Sequence, residues 1–293
     1  MTKNILITGG TGLVGKAIIE LLHSKGYNLA VLSRKKQNTE LKTFLWDYEK
    51  KYIDQDAVDF ADIIIHLAGE NISSKRWTAK QKKKIVDSRV KSTEFLYSTI
   101  SKSNKKPKRF ISASAVGFYG SESSDKIFVE SDSPTNDFLA STVVQWENAV
   151  DLFKDLGIEV SKLRLGVVMS LEGGALPKMM TSLKFGFVTP IGNGNQYIPW
   201  IALEDLARLF LFVLEKEKMQ EVYNAVNPSL LNNKELMKEL AKKKKGIYFP
   251  VGIPAFLLKL GLGQMSSLLL TGNKISADRL INEGFVFNKN EVI

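Results

Sequence analysis

The sequence contains no cysteine and only two histidines, His23 and His66. Without thiols the chain forms no disulfide bonds, has no cysteine nucleophile and offers no thiolate ligand to a metal ion. The two histidines lie far apart in the sequence, which does not match the ligand spacing of a zinc site. We therefore expect neither a disulfide-stabilised fold nor a metal centre.

Long apolar runs are missing as well. No stretch reaches the ~18 residues that a membrane-spanning helix needs. The chain begins Met1-Thr2-Lys3 and enters its first predicted strand at Asn4, which leaves no room for a signal peptide. These features predict a cytoplasmic protein with no membrane partner. The hydrophobic fraction of 44% over 293 residues suffices for one large domain, or a main domain with a smaller lobe.

Acidic residues are the minority among the charges, with 31 against 41 basic residues and a net charge of +10. The basic clusters lie at residues 82–84, 105–109 and 242–245. A nucleic-acid surface needs such charges on one face with aromatic residues among them. Here they are spread over predicted helices and loops with few aromatic neighbours. The pattern favours solvated helix faces and no nucleic-acid partner, although the field would attract an anionic small molecule.

The most informative segment is a glycine-rich turn near the N-terminus. An apolar run over residues 4–8 leads into Gly9-Gly10-Thr11-Gly12-Leu13-Val14-Gly15, and a helical pattern follows. Glycines with this spacing permit a sharp turn, the approach of a pyrophosphate and close packing of helix on strand. The helix N-terminus then offers unpaired N–H groups to phosphates. A plain tight turn is the alternative, but the strand and helix around it favour dinucleotide binding.

Strand and helix patterns alternate through the first 165 residues. Strands are predicted over 28–33, 43–46, 62–69, 109–114 and 158–165, and helices over 79–103 and 138–156. Strands separated by helices at this spacing form right-handed crossovers in a parallel sheet. The predicted fold class is therefore α/β, with a Rossmann-type doubly wound parallel sheet.

The pattern changes after residue 170. A helix is predicted to start within 173–177, a glycine- and proline-rich loop covers 186–194, strands 198–201 and 223–226 flank a helix over 204–218, and the chain is mostly helical from residue 232. We predict a dinucleotide-binding domain over residues 1–168, to which residues 197–226 return. A smaller, mainly helical substrate lobe over 169–196 and 227–293 would cover the carboxyl ends of the strands, where a doubly wound sheet binds its ligand.

The residues that follow the second predicted strand favour NADP(H) over NAD(H). A fold that selects NAD places an acidic residue there, which accepts hydrogen bonds from the ribose 2′-hydroxyl. This chain has Ser33-Arg34-Lys35-Lys36 instead. The serine leaves space and the cations can pair with a 2′-phosphate, Arg34 through two parallel hydrogen bonds. A solvent-exposed basic turn is the alternative interpretation.

Several longer segments resemble one family of proteins. They are the glycine turn from Thr8, residues 66–72 (HLAGENI), 76–78 (RWT), 112–120 (SASAVGFYG), 145–147 (QWE), 163–168 (LRLGVV), 173–176 (GGAL), 200–201 (WI) and 204–207 (EDLA). With them the chain resembles the extended short-chain dehydrogenase/reductase superfamily and, within it, the atypical family labelled epimerase family protein or nucleoside-diphosphate-sugar epimerase. The resemblance runs from residue 3 to about residue 288. It implies hydride chemistry on a small-molecule alcohol or carbonyl substrate, in a monomer or homodimer.

The cofactor contacts are expected at the glycine turn and at the ends of four further strands. The residues concerned are Gly9, Thr11, Gly12, Leu13, Val14, Gly15, Ser33, Arg34, Lys35, Leu67, Ala68, Gly69, Ser112, Ala113, Gly166 and Val167.

The resemblance also shows what this chain lacks. Standard members of the superfamily use a Tyr-x-x-x-Lys pair, in which the lysine lowers the tyrosine pKa while a serine or threonine holds the substrate oxygen. Ser114 matches the serine by position. Leu139 and Val143 occupy the tyrosine and lysine positions, and neither can carry a proton. The standard proton relay is therefore missing.

Ser114, Tyr119 and Glu70 are the candidate catalytic residues. Tyr119 lies five residues after Ser114 and could present its hydroxyl near the nicotinamide, and Glu70 would place a carboxylate at the mouth of the cleft. Glu147 and Arg89 are further polar candidates. A structural hydrogen bond or salt bridge is the alternative for each. Two functions stay open: an NADP-dependent oxidoreductase or epimerase, and an NADP-binding sensor or regulator that has lost turnover.

Overall fold

The computed structural model describes residues 3–36, 41–121, 125–289 and 292. The strands are β1 (Asn4–Thr8), β2 (Asn28–Ser33), β3 (Lys42–Asp47), β4 (Tyr52–Ile53), β5 (Ile63–His66), β6 (Arg109–Ala115), β7 (Ile127–Phe128), β8 (Glu159–Leu165), β9 (Val167–Ser170), β10 (Gly173–Gly174), β11 (Phe187–Val188), β12 (Trp200–Ala202), β13 (Val222–Ala225), β14 (Ile247–Tyr248) and β15 (Lys274–Ile275). The helices are α1 (Leu13–Ser24), α2 (Asp56–Phe60), α3 (Ala79–Lys102), α4 (Phe138–Asp151), α5 (Leu176–Met179), α6 (Leu203–Glu215), α7 (Asn233–Lys243), α8 (Ala255–Leu262), α9 (Ser267–Leu270) and α10 (Asp278–Asn282).

The central sheet has eight strands in the order β13-β8-β6-β5-β1-β2-β3-β4. All neighbouring strands in it are parallel except the short pair β3 and β4. The chain builds the sheet outward from β1 in one direction and from β5 in the other, so β1 and β5 flank the switch point at which doubly wound sheets bind ligands. The predicted Rossmann-type doubly wound parallel sheet is confirmed.

Both faces of this sheet are covered because its strands are apolar at successive positions. On β1, Ile5 and Ile7 enter one hydrophobic cluster with residues of α1 and α6. Leu6, which points the opposite way, enters a second cluster with residues of α3 and α4. Side chains alternate across a strand, so a continuous apolar run is buried on both faces.

Two helices that border the site begin at side-chain caps. The Thr78 hydroxyl accepts a hydrogen bond from the Gln81 N–H at the start of α3, and Asp137 accepts one from the Ala140 N–H at the start of α4. Such caps satisfy N–H groups that lack a partner within the helix. The predicted helix over 138–156 is α4 followed by a 3₁₀ turn over Leu152–Leu156.

The C-terminal part of the chain contributes to more than one layer. β13 extends the central sheet beside β8, whereas β12 pairs with β9 in a separate three-stranded sheet with β10. A third hydrophobic cluster joins these strands to α7 around the fully buried Trp200. The predicted boundary after residue 168 falls inside β9, and the division into two lobes stays a prediction. No helix in the described ranges is both long and apolar enough to cross a bilayer.

Candidate functional site

The glycine turn joins β1 to α1 through two tightly enclosed glycines. Gly9 has a φ of +69°, and its carbonyl oxygen accepts a hydrogen bond from the Gly12 N–H at 3.0 Å. A Cβ on Gly9 would lie 2.8 Å from the Leu67 carbonyl group, and one on Gly15 would lie 2.5 Å from the Gly9 oxygen. Gly9 is therefore required by its positive φ and by its contact with the loop after β5, and Gly15 by the packing of the turn itself.

Gly12 differs from these two glycines. It has extended backbone angles that any residue can adopt, with φ −76° and ψ 169°. A Cβ there would meet only the Gly9 carbonyl oxygen, at 3.3 Å, and both Thr11 and Gly12 are exposed. The fold alone does not demand glycine at this position. The missing side chain instead leaves open the space in front of α1.

The N-terminus of α1 faces the open space in front of Gly12. No side chain caps α1 at Gly12, and its first turn contains no acidic residue. The first N–H groups of a helix have no partner within the helix and form the positive end of its dipole. Leu13, Val14 and the buried Gly15 form this first turn. The arrangement suits the binding of an anion.

A buried histidine fixes the loop beside the turn. The Thr93 hydroxyl donates to the Arg89 carbonyl at 2.6 Å, which leaves it to accept from His66 Nε2 at 3.1 Å. His66 Nδ1 then accepts from the Thr8 hydroxyl at 2.8 Å; this tautomer is assigned from the hydrogen-bond network. Burial lowers the pKa of His66 to about 3 and keeps the ring neutral.

The same threonine holds the loop that follows β5. Thr8 Oγ1 accepts hydrogen bonds from the N–H groups of Leu67 and Ala68, at 3.1 and 3.2 Å. Gly69 comes next, where a Cβ would lie 3.2 Å from the Arg89 guanidinium carbon. The predicted contact residues 67–69 therefore lie directly against the glycine turn.

The basic turn at the end of β2 lies at the same edge of the sheet. Thr8 and Leu32 are register partners on the parallel strands β1 and β2, so Ser33 follows at the level of Gly9. Arg34 and Lys35 are exposed. Two cations are thus located at the carboxyl ends of these strands, the edge that an extended ligand would cross.

The other predicted cofactor residues lie within β6 or directly after β8. His66 is in register with Ser112, and Ala115 with Leu165. Ser112 and Ala113 are buried within β6, whereas Gly166 and Val167 follow β8 and donate to the carbonyls of Ala225 and Pro199. The structure brings all the predicted segments to one edge of the sheet. Their role as cofactor contacts stays a prediction.

Ser114 is part of a buried ion pair. Its hydroxyl donates to Glu147 Oε1 at 2.6 Å. The same carboxylate accepts from Arg164 Nε and Nη2, both at 2.9 Å. Glu147 and Arg164 are 6% and 4% exposed. With its one proton directed to Glu147, the Ser114 hydroxyl can accept a further hydrogen bond but cannot donate one to a substrate.

Tyr119 extends this network away from Ser114. It is 1% exposed, its hydroxyl donates to Asn224 Oδ1 at 2.7 Å, and it accepts from Arg164 Nη1 at 3.0 Å. Burial raises the pKa of the phenol above its ordinary value although the Arg164 charge opposes this. The tyrosine therefore stays protonated and is engaged at both its donor and acceptor positions. Its catalytic role remains a prediction.

Glu70 also has partners. Its carboxylate is 3.0 Å from Lys84 Nζ and accepts from Gln81 Nε2 at 3.3 Å. Burial opposes ionisation of Glu70, but these hydrogen bonds outweigh it and hold its pKa below the ordinary value. Arg89 donates to the Glu70 carbonyl. The contacts anchor the loop after β5, and the acid–base role of Glu70 stays a prediction.

A cavity of about 820 Å³ lies between α4 and the C-terminal helices. Trp77, Phe138 and Leu139 line one side of it, and Lys259 and Leu270 are among the residues that line the other. Leu139 is the residue that the sequence analysis predicts at the tyrosine position of the standard relay. It borders a cavity large enough for a small molecule.

Sequence reasoning missed Arg164 and Asn224, the two hydrogen-bond partners of the Tyr119 hydroxyl, and it did not assign Trp77 or Phe138 to a cavity. The sequence did contain a signal for Arg164. Lys162 and Arg164 stand two residues apart in the predicted buried strand β8, where charged side chains need partners. Glu147 and Asp151, four residues apart on α4, supply them; Lys162 Nζ lies 2.6 Å from the Asp151 carboxylate. No comparable local signal marks the cavity, because its walls come from distant segments.

Among the described residues, no group of three or more histidine or acidic side chains is placed to hold a metal ion.

Comparison with known sequences gives two matches to families. The sequence profile of the NAD dependent epimerase/dehydratase family matches residues 5–226. That of a domain of unknown function, DUF1731, matches residues 253–292. Epimerase family protein YfhF of Bacillus subtilis is 34% identical over 293 residues, which cover 99% of this chain and 95% of that protein. Epimerase family protein ML0860 of Mycobacterium leprae is 30% identical over 290 residues and covers 98% and 92% of the two chains.

Solved structures agree with these matches. The crystal structure of human epimerase family protein SDR39U1 (isoform 2) with NADPH superposes with a TM-score of 0.86 at 28% identity, over 99% of this chain and 96% of that one. UDP-glucuronic acid 4-epimerase from Bacillus cereus, in complex with UDP-glucuronic acid and NAD, superposes with a TM-score of 0.78 at 16% identity, over 98% and 95%. The latter likeness shows the fold alone. The resemblance inferred from the sequence motifs is confirmed.

Proposed function

The chain belongs to the NAD-dependent epimerase/dehydratase family, and from this premise we propose that it binds NADP(H) and performs hydride chemistry at an alcohol or carbonyl carbon of a small molecule. The observation that carries the proposal is Gly12. It is the glycine of the turn's G-x-x-G-x-x-G pattern that the fold requires least, since a Cβ there meets only one backbone oxygen, in a tight contact of 3.3 Å. A pyrophosphate at the uncapped start of α1 explains why a side chain is excluded.

The choice of NADP over NAD rests on Arg34 and Lys35. Both are exposed at the carboxyl end of β2, and no acidic residue occupies the segment 33–36. A guanidinium group can hold a 2′-phosphate through two parallel hydrogen bonds, whereas an NAD-selective site needs a carboxylate for the 2′-hydroxyl. Human SDR39U1, crystallised with NADPH, is consistent with this preference.

The cavity between α4 and the C-terminal helices is the proposed substrate site. A nicotinamide cofactor, when bound, supplies the hydride transfer. The chain's own residues would hold the cofactor at the glycine turn and shield the substrate between Phe138 and Leu270. Ser114 lies outside the cavity lining; a substrate hydroxyl that reaches it would donate a hydrogen bond to it, the direction that its bond to Glu147 leaves open. The substrate is an alcohol or carbonyl compound, for which a sugar nucleotide like that of the Bacillus cereus epimerase is one example.

One set of observations favours a second function, an NADP-binding sensor or regulator without turnover. Leu139 and Val143 replace the relay, and the hydroxyl protons of Ser114 and Tyr119 are directed to protein acceptors. A protein that only binds the cofactor needs the glycine turn but does not need proton donors directed to a substrate.

Binding and turnover separate the two proposals. Calorimetry with NADPH and NADH tests the cofactor, and incubation of the protein with NADPH and a panel of aldehydes, ketones and sugar nucleotides tests turnover through the nicotinamide absorbance. Tight NADPH binding with oxidation by one class of carbonyl compound supports the enzyme. Tight binding with no oxidation and no epimerised product across the panel supports the sensor. Failure to bind either cofactor contradicts both.

A further inference from the structure

The C-terminal part of the chain carries an exposed apolar surface. Among the described residues, nine of the seventeen large hydrophobic side chains that are exposed fall in the segments 185–187 and 247–260. The largest exposures are those of Phe185 (79%), Leu260 (76%), Ile247 (72%) and Phe256 (67%). Single exposed apolar residues are common, but a contiguous group of this size indicates an interaction site. We call this group, residues 185–187 and 247–260, the apolar surface.

Backbone pairing brings the two segments together. β11 and β14 are parallel neighbours in which Phe187 is in register with Ile247, so their side chains lie on the same side of the pair. The pairing continues as the Phe249 N–H donates to the Val188 carbonyl and the Ile253 N–H to the Pro190 carbonyl. α8 begins two residues later, and no residue of α8 is buried. Phe256 and Leu260, four residues apart, share one face of it.

The charge along the segments that form and flank the apolar surface is basic, although Glu239 on α7 lies 3.9 Å from Lys243. The segments 173–203 and 240–277 contain eight lysines and no aspartate or glutamate. Lys184 precedes Phe185, the cluster Lys242 to Lys245 precedes Ile247, and Lys259 lies on α8 beside Leu260. The other charges of the protein are mixed, with 31 acidic residues distributed over the rest of the chain.

We propose that the apolar surface binds the interface of an anionic lipid membrane. Exposed phenylalanine, leucine and isoleucine side chains would enter the headgroup region while the surrounding lysines contact lipid phosphates. A predominantly basic rim complements a negatively charged bilayer. A second copy of the chain is disfavoured because a two-fold contact through this face would oppose like charges. The expectation of no membrane partner came from the absence of a spanning segment, which a peripheral contact does not need.

Vesicle sedimentation tests the proposal with the intact protein. One set of vesicles contains phosphatidylcholine alone and the other also contains phosphatidylglycerol. We expect the protein to sediment with the anionic vesicles only, and the bound fraction to fall as salt is added, because exposed charges are screened. The double variant Phe256→Ser/Leu260→Ser should weaken the partition at least about tenfold, since two large apolar side chains no longer leave water. Lys244→Glu should also weaken it.

Matched variants elsewhere on the surface serve as controls. Val286→Ser removes an apolar side chain that is 67% exposed outside this region, and Lys102→Glu reverses an exposed charge at the end of α3. Both should sediment like the unaltered chain, and unchanged unfolding temperatures show that all variants are folded. No binding to anionic vesicles at low salt overturns the proposal. So does a concentration-dependent dimer that Phe256→Ser/Leu260→Ser abolishes without lipid binding, or retention on a polyanion alone that this variant leaves intact.

Discussion

Arg164 donates two hydrogen bonds of 2.9 Å each to the Glu147 carboxylate, and both side chains are almost completely buried. The pair joins β8 to α4 directly below Ser114, and Arg164 also lies 3.4 Å from the centroid of the Phe118 ring. Burial opposes the Arg164 charge, but the carboxylate outweighs it and raises the pKa of the guanidinium group. The position that the sequence marks as catalytic is thus built on a structural ion pair.

Removal of one partner from this pair should be costly. We expect Glu147→Leu to lower the free energy of unfolding by about 3–5 kcal/mol, because it leaves the Arg164 charge buried without compensation. The double variant Glu147→Leu/Arg164→Met should lose less stability, since it leaves no buried charge of this pair without its partner. Lys83→Met, which breaks the exposed pair with Asp87, should change stability by at most about 1 kcal/mol. Urea unfolding measures all three. A double variant as unstable as Glu147→Leu would contradict the interpretation.

Arg34→Ala should reduce the preference for NADPH over NADH. A charge-assisted hydrogen bond contributes roughly 1.5–3 kcal/mol, which corresponds to about a tenfold to hundredfold preference. Calorimetry should show weaker NADPH binding with unchanged NADH binding. Lys25→Ala, which removes an exposed charge at the far end of α1, is the control and should bind both cofactors normally. Equal affinity of the unaltered chain for the two cofactors would refute the assignment.

Gly12→Ala should remove cofactor binding without unfolding the protein. The methyl group meets only the Gly9 oxygen, so the loss of stability should stay near 1 kcal/mol, while NADPH affinity falls at least about tenfold. Gly15→Ala is the contrasting variant. Its methyl would lie 2.5 Å from the same oxygen, and it should lower the unfolding temperature sharply. Normal NADPH affinity in a folded Gly12→Ala variant would show that the turn binds no phosphate.

The buried His66 makes stability depend on pH. Its pKa is about 3 in the folded chain, against the ordinary value of 6.5. Between these two pH values the histidine is protonated in the unfolded chain and neutral in the folded chain. The free energy of unfolding therefore rises with pH, by up to about 1.4 kcal/mol per pH unit, and the contribution of His66 reaches its full value above pH ~6.5. Carboxyl groups with lowered pKa act in the same direction only below about pH 4.

Unfolding experiments at several pH values check this prediction for His66. His66→Gln should flatten the slope between about pH 4 and 6.5. Thr93→Val removes one hydrogen bond to the ring but keeps the histidine, so it should lower stability while the slope persists. A slope that survives in His66→Gln would assign the pH dependence to other groups.

Tyr119→Phe distinguishes a structural phenol from a proton donor. The contacts favour the first, and we expect a loss of about 1–3 kcal/mol in unfolding free energy because Arg164 and Asn224 lose a buried partner. Turnover per folded molecule should not change. A fall in turnover by about 10²–10⁴ with NADPH affinity intact would instead establish the general acid that the sequence predicts.

Local chemistry explains why much of the fold could be predicted. The positive φ of Gly9 and the steric requirement at Gly15 arise within one turn, and the alternation of apolar strands with helices needs only a few neighbouring residues to be seen. The predicted strand 28–33 coincides with β2, and the predicted helix 79–103 ends one residue beyond α3. Backbone sterics and hydrophobic periodicity are properties of short segments, and they determined the sheet.

Only the tertiary structure determined which partners the polar side chains bind. Ser114 and Glu70 have the residue types that catalysis needs, but Glu147 and Lys84 occupy them in the folded chain. Such pairings join residues that are distant in sequence, and they depend on which helix packs over which strand. The cavity beside Leu139 has the same origin, since its two walls come from α4 and the C-terminal helices. Packing geometry selects a side chain's partners, and residue type alone does not.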